Sequence, residues 1–254
     1  MKYTAKYFRD NYPEWKRKKD WWPTRYFYRQ LSFPLSAFFS NIGWTANMVS
    51  FFSALVGLAA CACFALCHPI VGALLVNVWL VFDCADGNIA RSVRKERYGD
   101  FADSMSSYLC VGFLFASIGM CCYRLGGLFF SAGDPWVIYL GALAGSSDSL
   151  MRLLYQKYLN STWEQGMNAS HSNDPQKEKG INRIRMKIDG YLSLGGSIPI
   201  ALLIVAICGW LDLVVVVWLF YYAATLFATS VYLIRKTFRA NNIDPLRKGS
   251  IDGK

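Results

Sequence analysis

Six apolar stretches, each about as long as a helix that crosses a bilayer, constrain this chain more than any other feature: residues 45–67, 70–90, 101–123, 136–156, 191–211 and 213–234. A spanning helix needs roughly 20 mostly apolar residues to cross a ~30 Å hydrocarbon core. With 54% apolar and only 17% charged residues, a 254-residue chain also has too little polar surface to cover a soluble globule of its size. The expectation is therefore an all-α polytopic membrane protein with six transmembrane helices. The order along the chain is an interfacial segment at 1–44, a membrane domain at 45–236 and a tail at 237–254.

The distribution of positive charge tests this division, because Lys and Arg stay on the cytoplasmic side of short loops. With the N-terminus inside, the N-terminal segment, loops 91–98 and 157–189 and the C-terminal tail should be basic. The turns near His68, at 125–135 and near Asp212 should not be. Of the 27 Lys and Arg, only Arg124 falls in a predicted outer turn. The net charge of +10 then reads as a topology signal, with both termini cytosolic, rather than as a face for nucleic acid. An inner leaflet rich in anionic lipid is the partner this charge fits, and a bacterial plasma membrane is the expected setting.

Before the first stretch, aromatics and bases alternate through Trp15, Lys16, Trp21, Trp22, Arg25, Tyr26, Phe27, Tyr28 and Arg29. Such a segment suits the headgroup region, and an interfacial amphipathic helix is expected to begin near Pro34. Its role is either anchoring or a direct part in chemistry. Residues 160–175 show no period and read as a mobile loop, followed by a basic, possible helical stretch at 177–187. The tail after Asn241 reads as disordered. Seven of the eight cysteines lie in or at the ends of the apolar stretches and read as small hydrophobes. Cys61 and Cys63 lack the second pair a zinc site requires. Cys121 and Cys122 leave room for an outer-face disulfide. Residues 1–11 are charged and carry no cleavable signal pattern.

Carboxylates inside spans are costly, about 2.5–3.5 kcal/mol each on insertion scales, so intramembrane acids are functional candidates. Here they cluster. Asp83 and Asp86 end the second stretch, and Asp100 and Asp103 open the third. On a helix Asp83, Asp86, Gly87 and Ala90 share one face, and Gly99, Asp103 and Ser107 share another. A short basic loop makes the two helices antiparallel neighbours, so Asp83, Asp86 and Asp103 can converge. A hard divalent cation with oxygen ligands, Mg²⁺ or Mn²⁺, relieves the repulsion among them and commonly keeps a phosphate substrate in its shell. Gly87 and Ala90 leave room for a flat base or a diphosphate, or simply for close helix packing.

These residues also carry a family resemblance. The pattern D-x2-D-G-x2-A-R, a short variable stretch, then G-x3-D-x3-D resembles that of the CDP-alcohol phosphotransferases. Asp83, Asp86, Gly87, Ala90, Arg91, Gly99 and Asp103 match seven of its eight fixed positions. The resemblance implies that the aspartates bind two divalent metals that hold the CDP diphosphate, that Gly87, Ala90 and Arg91 receive the nucleotide, and that the protein is a homodimer. Asn47 stands where members carry a Pro-Asn pair, with Ala46 in place of the proline.

The departure is Ser107, at the position of the fourth Asp, to which the family assigns both metal binding and the base that deprotonates the acceptor. A serine hydroxyl is a poor base. Another carboxylate, Asp100 or Asp148, could serve instead; the acceptor could bring its own oxyanion; or the protein could bind CDP-alcohols without turning them over. Arg152 and Lys157 read either as ligands for an acceptor phosphate or as snorkelling cations. Asp189, with Arg183, Arg185 and Lys187, carries the same ambiguity.

The expected activity is transfer of a phospho-alcohol or phosphatidyl group from a CDP-alcohol or CDP-lipid to a lipid or small-alcohol hydroxyl, with CMP released at the cytosolic face, in phospholipid or lipid-linked polymer synthesis. The rival readings are a silent CDP-alcohol-binding homologue and an ion-coupled transporter, though no inverted repeat is visible.

Overall fold

The computed structural model describes residues 2–164, 195–196 and 198–243, and every regular element among them is helical. Two short helices, α1 (Ala5–Asp10) and α2 (Glu14–Lys19), are followed by a π-helical turn (Thr24–Tyr28) that runs directly into α3 (Arg29–Asn41). Then come α4 (Ala46–Ala65), α5 (Pro69–Ser92), α6 (Gly99–Leu125), α7 (Trp136–Glu164), α8 (Ile198–Cys208) and α9 (Leu211–Ile243).

Four helices are long and apolar enough to cross a membrane: α4, α5, α6 and residues 211–238 of α9. The chain is thus an integral membrane protein by this measure, with Leu55, Leu143, Phe220 and Phe227 among the large apolar side chains turned outward. Helix α7 has the length, but Ser146, Ser147, Asp148, Ser149 and Arg152 make it more polar, and α8 is short as described. The sequence stretches 177–187 and 244–254, with Arg183, Arg185, Lys187 and Asp189, lie outside the described residues.

The expectation that α5 and α6 would be direct neighbours needs correction: each packs far more extensively on α4 than on the other. The reason is the narrow seam of α4, where Ala46, Ser50, Ser53, Ala54, Gly57, Ala60 and Cys61 are all buried. A Cβ at Gly57 would stand 3.0 Å from Cys110 Cβ on α6 and 3.1 Å from Trp79 Cδ1 on α5, so only glycine lets both partners approach. A hydrogen-bond chain ties the seam together, with Trp79 Nε1 donating to Ser106 Oγ at 3.0 Å and Ser106 meeting Ser53 Oγ at 2.6 Å. On the other side of α6, α7 crosses backbone to backbone. A Cβ on Gly141 would lie 2.3 Å from the Phe115 carbonyl oxygen. Helix α9 closes the row against α7, and α8 packs on α5, where Asn77 donates to the Pro199 carbonyl at 2.9 Å.

Helix α3 starts at Arg29 rather than near Pro34, which sits inside it. A proline in that place forfeits one hydrogen bond to the carbonyl four residues back, here Gln30, and both Pro34 and Gln30 are exposed where water can serve that carbonyl. The buried face of α3 carries Arg29, Ser32, Phe33, Ser36 and Ala37, and it lies on α5. Helix α7 likewise runs to Glu164, past the loop start expected at Asn160. All eight cysteines are free thiols.

The described core has two parts. The larger joins α4 to α9 through Phe64, Leu80, Leu114, Phe115, Ile118 and Val215. The smaller, built on Phe8, Tyr12, Phe33, Phe39, Val49, Ala85 and Ile89, seats α1 and α3 against the end of α5 that carries the aspartates.

Candidate active site

Asp83 and Asp86 occupy the last turns of α5, and Asp103 the second turn of α6. The carboxyls of Asp83 and Asp103 are close enough to share a hydrogen bond, and Asp86 acts electrostatically with both. Asp86 is the most buried of the three, 4% exposed, and its Oδ2 accepts from Ser50 Oγ at 2.6 Å. The sequence pattern therefore places its acids together, although α4 rather than direct helix pairing does the work. As the side chains stand, no three His, Cys, Asp or Glu groups among the described residues close on one ion position.

Around this group, Arg91 folds its guanidinium across Gly87, where a Cβ would meet Nη2 at 2.9 Å. Arg91 Nη2 donates to Asn88 Oδ1 at 3.3 Å, and Ala90 beside it is half-buried. Gly99 opens α6 opposite Asn47, whose Oδ1 would lie 3.7 Å from a Cβ there. That Oδ1 is buried and has no hydrogen-bond partner, while the Asn47 amide group donates to the Arg97 carbonyl at 2.9 Å and its backbone N–H to Glu96 Oε2 at 3.1 Å. Asp100 is exposed in the first turn of α6 and adds its charge to that felt by Asp103. Ser107 is half-buried one turn beyond Asp103.

Asp148 has a different fate. It is 1% exposed, and its Oδ2 accepts from Arg152 Nε at 2.6 Å, one turn along α7. No hydrogen bond or ion pair among the described residues joins it to the aspartates of α5 and α6. Arg152 also lies over the Tyr108 ring at 5.8 Å, so the cation is engaged by α6 as well as by Asp148. Lys157 is exposed and sits five residues along an unbroken helix from Arg152, which puts the two on different faces.

The structure adds residues that the sequence pattern did not single out. Arg29, 5% exposed, donates from Nη1 to the Cys84 carbonyl at 2.9 Å and to Asn88 Oδ1 at 3.1 Å. Its Nε meets Asp20 Oδ2 at 3.2 Å, and its guanidinium lies 4.9 Å from the centre of the Tyr12 ring. The Tyr12 hydroxyl donates to the same Asp20 oxygen, and burial pushes this phenol well above its ordinary range, with the bond to Asp20 acting in the same direction. Asn88 also donates to Ser32 Oγ at 2.9 Å and Ser36 Oγ at 3.2 Å. The one signal available in sequence was Asp20 itself, a lone acid closing the basic run 16–19.

Residues 43–230 match the CDP-alcohol phosphatidyltransferase family. That span is most of the chain, and it contains every aspartate described above. This chain belongs to that family. No curated protein matches it closely enough to count as a relative. Membership in the CDP-alcohol phosphatidyltransferases, a transferase family, accounts for a group of acids at the end of two membrane helices, and it supplies a CDP-alcohol donor and an alcohol acceptor as the substrate classes. The segment that carries Tyr12, Asp20 and Arg29 lies before the matched residues.

Proposed function

We propose that the chain is an integral-membrane phosphotransferase that moves a phospho-alcohol or phosphatidyl group from a CDP-alcohol to an acceptor hydroxyl, releasing CMP, in phospholipid or lipid-linked polymer synthesis. The observation that carries this reading is the meeting of Asp83 and Asp103 with Asp86 beside them at one end of α5 and α6. Two carboxyls in hydrogen-bond contact need either a shared proton or a cation between them. An all-oxygen donor set fits a hard divalent ion, so Asp83, Asp86 and Asp103 would hold Mg²⁺ or Mn²⁺, as two ions in the family's manner. Such an ion polarises a phosphoryl oxygen and neutralises charge on the diphosphate.

The remaining roles fall to this chain's own groups. Gly87, with Arg91 folded over it, and the unpartnered Asn47 Oδ1 beside Gly99 offer a donor, a bare backbone and an acceptor to a nucleotide. Arg152 would hold an acceptor's anionic group. Asp100, exposed next to Asp103, is better placed to take the acceptor's proton than Asp148, whose carboxylate is committed to Arg152. Six spans, with α7 and the helix that includes α8 crossing beside the four described, cytosolic termini and a homodimer complete the proposal.

The test is CMP release from a panel of CDP-alcohols by the purified protein with Mg²⁺ or Mn²⁺. Metal-dependent release that Asp86→Asn abolishes supports the transferase. Activity that appears only in Ser107→Asp supports the silent, binding-competent homologue instead.

A further inference from the structure

The basic helix α2 ends on Asp20, and Asp20 is held against the motif end of α5 by Tyr12 and Arg29. Arg29 in turn grips the Cys84 carbonyl at 2.9 Å, one residue from Asp83. This chain of contacts delivers Lys16, whose Nζ lies 3.6 Å from Asp20 Oδ1, to the carboxylate group. The charge of Lys16 acts on both Asp83 and Asp103. Neighbouring bases point elsewhere: Arg17 and Lys18 are exposed, whereas Lys16 is half-buried. An ammonium on a flexible four-carbon stem suits a phosphate oxygen as a point-charge partner.

We propose that Lys16 is a substrate-binding residue, which takes an oxygen of the donor's diphosphate and is held in place by the Tyr12–Asp20–Arg29 cluster. The inference rests on the transferase reading above and extends the site to a helix outside the family-matched residues. It gives the N-terminal segment a part in substrate binding in addition to its packing.

The experiment is titration of the full-length protein in detergent with CDP and with cytidine, Mg²⁺ present, for wild type, Lys16→Ala, Lys16→Arg and the exposed control Lys18→Ala. A charge-assisted hydrogen bond lost from a binding site weakens affinity about tenfold or more. Lys16→Ala should lose CDP affinity by that factor and keep its cytidine affinity and unfolding temperature; Lys16→Arg should recover most of the loss, and Lys18→Ala should bind as wild type. Wild-type binding of CDP with Lys16→Ala indistinguishable from it overturns the role of Lys16 alone. A wild-type protein that binds neither ligand overturns the transferase reading, and this inference with it.

Discussion

Asp212 and Asp86 are both buried carboxylates, but they sit at opposite ends of the bundle and in opposite company. Asp212, in the first turn of α9 and fully buried, accepts the backbone N–H groups of Leu128, Phe129 and Phe130 at 2.9, 2.5 and 3.0 Å. It pins the loop after α6, and a Cβ on Gly127 would collide with it. Asp86 has the Ser50 hydroxyl and the Gly87 N–H, and beyond these it faces Asp83 and Asp103. The Asp212 donors all favour its charge; the company of Asp86 is largely like charge. A carboxylate whose surroundings are complete stabilises the fold. A carboxylate set among its own kind costs stability in the absence of a ligand, which is the mark of a site rather than a strut.

The largest effect should come from Asp86→Asn. CMP release should fall by more than the ~10–100-fold that the loss of a metal's outer-shell partner costs. The unfolding temperature in detergent should hold or rise, because one of three repelling charges is gone. A sharp loss of stability would place Asp86 in the same class as Asp212 and dissolve the contrast.

Next in size is Arg29→Met, which leaves Asp20 buried without its guanidinium. Removing one partner of a buried ion pair costs about 3–5 kcal/mol. Denaturant unfolding should register this loss, and the proportionate variant Arg29→Lys should lose less. An Arg29→Met protein as stable as wild type would mean that the N-terminal segment is not locked to α5 as its contacts indicate.

How far the sequence reaches is clearest along α5. The spacing of Asp83, Asp86, Gly87 and Ala90 foretells a helical face because a helix has one period, and the helix is there. What sits between the two acidic helices was not legible, because the small residues of α4 match a lipid-facing helix as well as a seam; only packing tells that Gly57 receives both Trp79 and Cys110. Asp148 looked unexplained in sequence because Arg152, one turn away, could equally have pointed to the bilayer surface. Arg29 was invisible for a similar reason: surrounded by aromatics, it read as a headgroup ligand, and nothing local shows that α3 turns its polar face inward onto Asn88.

Asp212→Ala tests the other half of the comparison. Three buried N–H groups lose their acceptor, and an unsatisfied buried donor costs on the order of 1–3 kcal/mol. Unfolding should occur at lower denaturant, while CMP release per folded molecule stays unchanged, since the loop lies at the end of the bundle away from the aspartates.

The smallest effect, and the most discriminating, belongs to Ser50→Ala. Its hydroxyl gives Asp86 a 2.6 Å hydrogen bond from the buried seam of α4, and it also donates to the Ala46 carbonyl at 3.2 Å. A serine there for packing alone would tolerate alanine in both assays, because a methyl group fills nearly the same space. A serine that orients Asp86 should lower CMP release by about tenfold, the lower end of the range for an outer-shell partner. The concentration of Mg²⁺ needed for half-maximal activity should rise with it, and Ser50→Thr, which keeps the hydroxyl, should restore both. The metal dependence separates the alternatives, since a general loosening of the α4–α5 contact would lower activity without shifting it.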